Sequence, residues 1–106
     1  MRTPPSALLS LVWDHAEMER VAAEILSRAG NWAVVQMPGR NFPGLHMQGD
    51  TFAALRTRLA AAARQIRREP ADPDALDELD SAVEEMDAVL SFYERVLSER
   101  GLERPY

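Results

Sequence analysis

Residues 31–51 read NWAVVQMPGRNFPGLHMQGDT, with two Pro-Gly pairs at Pro38-Gly39 and Pro43-Gly44. Proline has a fixed φ and no backbone N–H, and a following glycine accepts the positive φ of a tight turn. No continuous helix or strand runs through such pairs, so the flanking segments must be short and must fold back. Trp32, Ala33, Val34 and Val35 form a β-prone run without a breaker, and the pattern predicts a strand over 32–37. A turn at Pro38-Gly39 follows. Pro43-Gly44 repeats the device, and 45–48 reads as the return strand. Asp50 is then expected to cap a helix, with Thr51 in its first turn.

Upstream, residues 19–28 suit two structures. Ala22, Ala23, Ile25 and Leu26 can extend a helix. Val21, Ala23 and Ile25, alternating with Ala22, Glu24 and Leu26, can also make a strand with one weaker face. Ala and Glu are poor strand formers, so composition by itself favours helix. Ala29-Gly30-Asn31 fits either a hairpin turn or a helix C-cap. Residues 1–17 read as an N-terminal appendage. Pro4-Pro5 resists regular structure, and Ser6 suits the cap of a short helix over 7–16. Residues 18–106 then make one domain.

Downstream, apolar residues recur at helical spacing. Phe52, Leu55, Leu59, Ala62 and Ile66 form one stripe, with Arg56, Arg64, Arg67 and Arg68 largely off it. Glu69-Pro70-Ala71 breaks that helix. Asp72 is placed to cap the next, with Pro73 at its first position and Asp74 in its first turn. Leu76, Leu79, Val83, Met86, Leu90, Tyr93 and Leu97 then alternate spacings of 3 and 4, while Ala75, Ala82, Val89 and Val96 widen the stripe. Gly101 ends it.

The short connection predicts an antiparallel helical hairpin, with Leu79, Val83, Met86 and Leu90 against Leu55, Leu59 and Ile66. The second helix should overhang the first by roughly nine residues at about 1.5 Å each. Val89, Tyr93, Val96 and Leu97 there need cover from the sheet, the N-terminal segment or a second subunit. A homodimer is the expectation. The fold class is α+β, a small antiparallel sheet of about three strands followed by a long helical hairpin.

Composition narrows the function. The chain has 106 residues and no Cys, so thiol catalysis, disulfides and thiolate metal sites are excluded. No apolar run approaches the ~20 residues that span a bilayer. The start shows no small-residue cleavage site, so neither a signal peptide nor a membrane role is expected. A cytoplasmic location is the default. All twelve basic residues are Arg, which a GC-rich genome explains better than selection for bidentate contacts, since a count cannot support the latter. Residues 1–69 carry nine Arg against six acids, a net +3, and residues 70–106 carry three Arg against eleven acids, a net −8. Nucleic-acid binding calls for a basic surface, so it is not expected. Two helices with complementary charge explain the asymmetry.

The 31–51 run resembles the signature of a family of short, uncharacterised bacterial proteins: an aromatic after Asn, then VV, then P-G-R-x-F-P-G, then Q-G-D-S/T. The resemblance covers about residues 18–106 and implies a strand over 20–27. It implies no activity. A second likeness, over 31–66, is to HicB-type antitoxins, which also run strand, Pro-Gly, strand, Gly-Asp-Thr, helix. The DNA-binding module of that family has no counterpart here, because an acidic helix takes its place.

Few residues carry chemistry. Asp14, His15 and Glu19, or the acids Asp77, Asp80, Glu84, Glu85 and Asp87, are better read as solvated faces than as metal sites. No cofactor is expected. There is no G-x-S-x-G elbow and no phosphate loop, so no enzyme is expected. Arg40, between the Pro-Gly pairs, can offer a fixed guanidinium fork to a carboxylate or phosphate. Phe42 beside it suits an interface anchor. The bland alternative is that Arg40 pairs within the chain and Phe42 plugs the core edge. Trp32 and Gln48 complete the candidate binding set, read as lying near the same turn, although Trp32 is more often a core or sheet-face residue and Gln48 more often part of a strand-to-helix cap. The expected function is a small antitoxin- or immunity-like interaction protein, binding a protein partner through the PGRNFPG loop and the sheet edge. Its acidic helix suits a basic partner. The alternative is a regulatory domain holding an anionic ligand at Arg40.

Overall fold

A computed structural model describes residues 18–106. The predicted appendage, residues 1–17, lies outside the described residues together with Asp14 and His15. The fold is α+β: a three-stranded antiparallel sheet followed by two long helices.

The strands are β1 (Glu24–Ala29), β2 (Trp32–Gln36) and β3 (Gly44–Met47), in the order β1-β2-β3. Ala29 pairs with Trp32 across a Gly30-Asn31 turn. Strand therefore prevails over helix upstream, but it begins later than the resemblance implies, and residues 18–23 are exposed without regular structure. The reason is pairing. β1 has only β2 to bond with, and the register ends at Glu24 opposite Gln36, the last residue of β2. A strand cannot outrun its partner. The register shifts between Ile25 and Ser27, a bulge that leaves Ile25 exposed while Leu26 packs against the core.

The second Pro-Gly pair is not a second turn. Pro43 is buried, and Gly44 is already in β3, opposite Val35. Only Pro38-Gly39 turns, with Gly39 at φ 79°. The hairpin loop is therefore wide, spanning residues 37–43.

α1 (Gly49–Arg68) and α2 (Pro73–Glu99) follow. α1 starts earlier than Asp50. Its N-cap is Gln48, with no side-chain cap bond. The Gln48 N–H donates to Asn31 O at 3.1 Å, which holds it in the sheet, and its carbonyl accepts the first helical bond from Phe52 N at 3.0 Å. Asp50 instead sits in the first turn, where its charge suits the helix dipole. Asp72 caps α2 as expected: its Oδ1 accepts from Asp74 N at 3.0 Å, and Pro73 follows. Its Oδ2 accepts from Gln65 Nε2 at 2.8 Å, tying the cap to α1. α2 ends in a Schellman motif, with Leu102 N donating to Leu97 O and Gly101 N to Ser98 O, Gly101 lying at φ 70°.

The sheet lies on the overhang of α2. Val34, Phe92, Tyr93, Val96 and Leu97 form the main buried cluster, with Leu26, Ala29 and Trp32 packed on it. Val89 is buried too. Of the three covers expected for the overhang, the sheet provides one: Val34 of β2 packs on Tyr93, Val96 and Leu97.

The hairpin seam also differs from the expected one. Ala75, Ala82 and Val89 of α2 are buried, as are Leu55 and Ala62 of α1. Leu79, Met86, Leu59 and Ile66 are half-buried, whereas Leu76, Val83 and Leu90 are 43%, 44% and 43% exposed. Small side chains in the seam let the helix axes approach, and the bulkier residues are displaced to one side. On the other side, Arg58 of α1 reaches Glu78 at 2.7 Å and Glu85 at 2.6 Å. The two faces of the hairpin are therefore unlike, one polar and one apolar.

Candidate functional site

The loop 37–43 is braced from within. Gln36 Nε2 donates to Met37 O at 3.0 Å and to Arg40 O at 2.9 Å. Arg40 N closes the turn onto Met37 O at 3.4 Å. Gly39 supplies the positive φ that a residue with a Cβ resists. From below, the Tyr93 hydroxyl donates to Pro43 O at 2.6 Å in a buried bond. One sheet side chain and one helix side chain thus hold the two ends of the loop.

Arg40 is exposed and Phe42 is 42% exposed. Arg40 forms no salt bridge among the described residues, where the ion pairs fall to Arg58 and Arg104. The bland alternative for Arg40, an acid of its own chain, is therefore not realised there. A shallow groove runs beside the loop, lined by Met37, Arg40, Phe42 and Pro105 among others. Pro105 arrives with the chain beyond α2. Tyr106 stacks on Tyr93, with centroids 6.5 Å apart and planes at 22°, and its hydroxyl donates to Glu94 Oε2 at 2.9 Å. Arg104 reaches the same oxygen at 3.0 Å. Burial raises the pKa of Tyr93. Burial also raises that of Tyr106, with the hydrogen bond to Glu94 adding to it.

Trp32 and Gln48 stand elsewhere. Trp32 pairs with Ala29 and Met47, at the end of the sheet remote from the loop, whereas Val35 and Gly44 flank the loop. Trp32 is half-buried on the core cluster, and Gln48 is the exposed N-cap of α1. The reading that set all four near one turn is corrected by the hairpin register, which separates the pair Arg40 and Phe42 from the pair Trp32 and Gln48. Sequence reasoning missed Gln36, Tyr93 and Pro105 as partners of the loop. A Gln just before a Pro-Gly turn was a usable local signal. Tyr93, fifty positions from Pro43, carried none.

Other chemistry is sparse. His46 is exposed on β3. Among the described residues, no group of three His, Asp or Glu is placed to hold a metal ion, and no helix is long and apolar enough to cross a membrane. Glu78 and Glu85 are engaged with Arg58, and their hydrogen bonds, Glu78 first, raise the pKa of that guanidinium.

No curated protein matches the chain, and no solved structure matches it. A family model described as a family of unknown function, DUF6959, matches residues 18–106, and the chain belongs to that family.

Proposed function

We propose that this protein is a non-enzymatic interaction protein that binds a protein partner through the loop 37–43 and the neighbouring edge of β3. One observation carries the reading. Arg40 and Phe42 project from a loop whose backbone is held by Gln36 and Tyr93. A braced loop meets its partner with little conformational entropy left to lose. Arg40 supplies a directional positive charge for a carboxylate, and Phe42 supplies apolar area beside it. Among the described residues β3 lies at a sheet edge, where backbone groups can extend the sheet into a partner. The strand–strand–helix likeness to HicB-type antitoxins over 31–66 favours an antitoxin- or immunity-like role, and a cytoplasmic site of action fits that role. The net charge of −5 weighs against nucleic acid as the partner.

The alternative is that Arg40 holds a small anionic ligand. Its guanidinium, in no salt bridge among the described residues, lines the groove and favours that reading, but a single cation makes a weaker anion site than an Arg cluster. One experiment separates the two. Wild type, Arg40→Ala and Phe42→Ala are used to capture partners from lysate of the source cells, and each is melted with and without anionic metabolites. A stoichiometric protein lost in both variants, at unchanged melting temperature, supports the interaction reading. Anion-dependent stabilisation lost only in Arg40→Ala supports the ligand reading. Equal capture by all three proteins with no anion effect rejects both.

A further inference from the structure

The apolar face of the helical hairpin has no cover among the described residues. Counted at 3.6 residues per turn, Leu76, Val83 and Leu90 stand one position beyond the seam of Ala75, Ala82 and Val89, about 100° round the helix. They form a strip along α2. Phe52, Leu55, Leu59 and Met86 line an almost wholly apolar groove alongside it, with Phe52 62% exposed. A continuous apolar face of this kind marks an interaction surface.

The margins of the face are charged with opposite sign. Arg56 of α1 borders the groove. On α2, Asp80 and Asp87 lie one turn beyond Leu76 and Val83, at the outer margin of the strip, and both are exposed. None of the three forms an ion pair among the described residues. α1 carries five Arg and one acid, whereas α2 carries nine acids and one Arg.

We propose that this face is covered by the same face of a second copy of the chain, in an antiparallel four-helix bundle with α1 of each copy over α2 of the other. The charge pattern selects that arrangement. A two-fold axis parallel to the helices exchanges α1 and α2 while keeping their height, and every neighbouring pair stays antiparallel. Arg56 and Met86 line the same groove, so Arg56 stands near the level of Met86 and its neighbour Asp87. The axis therefore brings Arg56 of one copy to Asp87 of the other, twice. Stacking α1 on α1 would oppose two basic helices and two acidic ones. The strip ends at Leu90, which lines a hollow with Leu45 and Pro105, so the interface adjoins the β3 edge without including the loop 37–43.

The test is light scattering and sedimentation of the full chain at tens of micromolar, on wild type, Val83→Asp, Arg56→Glu, Asp87→Arg and the double variant Arg56→Glu/Asp87→Arg. Circular dichroism checks the fold of each. The wild type should have twice the chain mass, and Val83→Asp, which puts a charge in the dry centre, should be a monomer. Arg56→Glu and Asp87→Arg should each weaken the dimer by about tenfold, since symmetry doubles each change. The double variant, with the pair reversed, should regain wild-type affinity. Both charged positions are exposed, so these variants remain informative if Val83→Asp fails to fold. A monomeric wild type overturns the proposal and returns the face to residues 1–17 or to a foreign partner. A dimer that survives Val83→Asp, or whose affinity ignores the charge reversals, also overturns it.

Discussion

Tyr93 donates its phenolic hydrogen to the carbonyl oxygen of Pro43 at 2.6 Å, joining the C-terminal third of α2 to the root of the loop that carries Arg40 and Phe42. The bond is buried, and among the described residues no buried side-chain polar atom lacks a partner. Loop position and core packing are thereby linked through a single side chain. Tyr93 packs with Val34 and Leu97 while its hydroxyl fixes the backbone at Pro43.

Tyr93→Phe should therefore cost about 1–3 kcal/mol, because it strands a buried acceptor. Amide exchange in residues 38–42 should quicken at the same time. Thermal melts and hydrogen exchange check both effects.

The same residue sets an alkaline limit. Burial raises the Tyr93 pKa above its ordinary 10.0, so the native state keeps the proton longer than the unfolded chain. The unfolded chain binds fewer protons above that pH, and stability falls as pH rises. This contribution is intact below pH 10.0 and is lost as pH climbs through the folded value. Denaturant midpoints measured from pH 8 to 11 should fall at the top of the range for wild type (on the order of one unit either side of a tyrosine pKa). The fall should be shallower in Tyr93→Phe.

Arg40→Ala and Phe42→Ala should each change stability by less than about 0.5 kcal/mol, the level of a surface substitution. Gln36→Ala should cost more than either, since it removes two bonds to the loop backbone. Chemical denaturation of the three variants checks the order. An order with Phe42→Ala the most costly would make that ring part of the core and would sink the recognition reading.

Two leucines of α2 should respond differently to the same truncation. Leu97 is fully buried, and Leu97→Ala should cost about 2–5 kcal/mol. Leu90 is 43% exposed, so Leu90→Ala should cost about half of a full burial, roughly 1–1.5 kcal/mol. That comparison is best made well below micromolar protein, where self-association does not contribute.

Asp72→Ala should cost about 0.5–2 kcal/mol as the loss of an N-cap. Asp72→Asn should recover most of it, because an amide oxygen still accepts from Asp74 N. Thermal melts of the pair separate the cap from a general charge effect.

Local chemistry made much of this protein legible in its sequence. Trp32 to Val35 specified a strand because nothing in the run opposes one. Asp72-Pro73 specified a helix start, and Gly101 a helix end, because caps are short-range devices. The 3/4 spacing specified two amphipathic helices and, with the short link, their antiparallel pairing. That Arg40 and Phe42 stand on an exposed loop was legible because Pro38-Gly39 marks a turn wherever it stands.

Tertiary structure alone decided what depends on distant partners. β1 starts at Glu24 because β2 ends at Gln36. Trp32 and Arg40 lie at opposite ends of one hairpin because the strand register separates them. The helical stripe was too wide to name its own seam. Ala82 took the centre and Val83 the rim because close helix packing rewards small side chains and Arg58 is tied to Glu78 and Glu85 on the far side. Periodicity gives a face to within about one residue, roughly 100° of arc. The energy that chooses within that arc comes from contacts with the other helix and the sheet, which no local pattern contains.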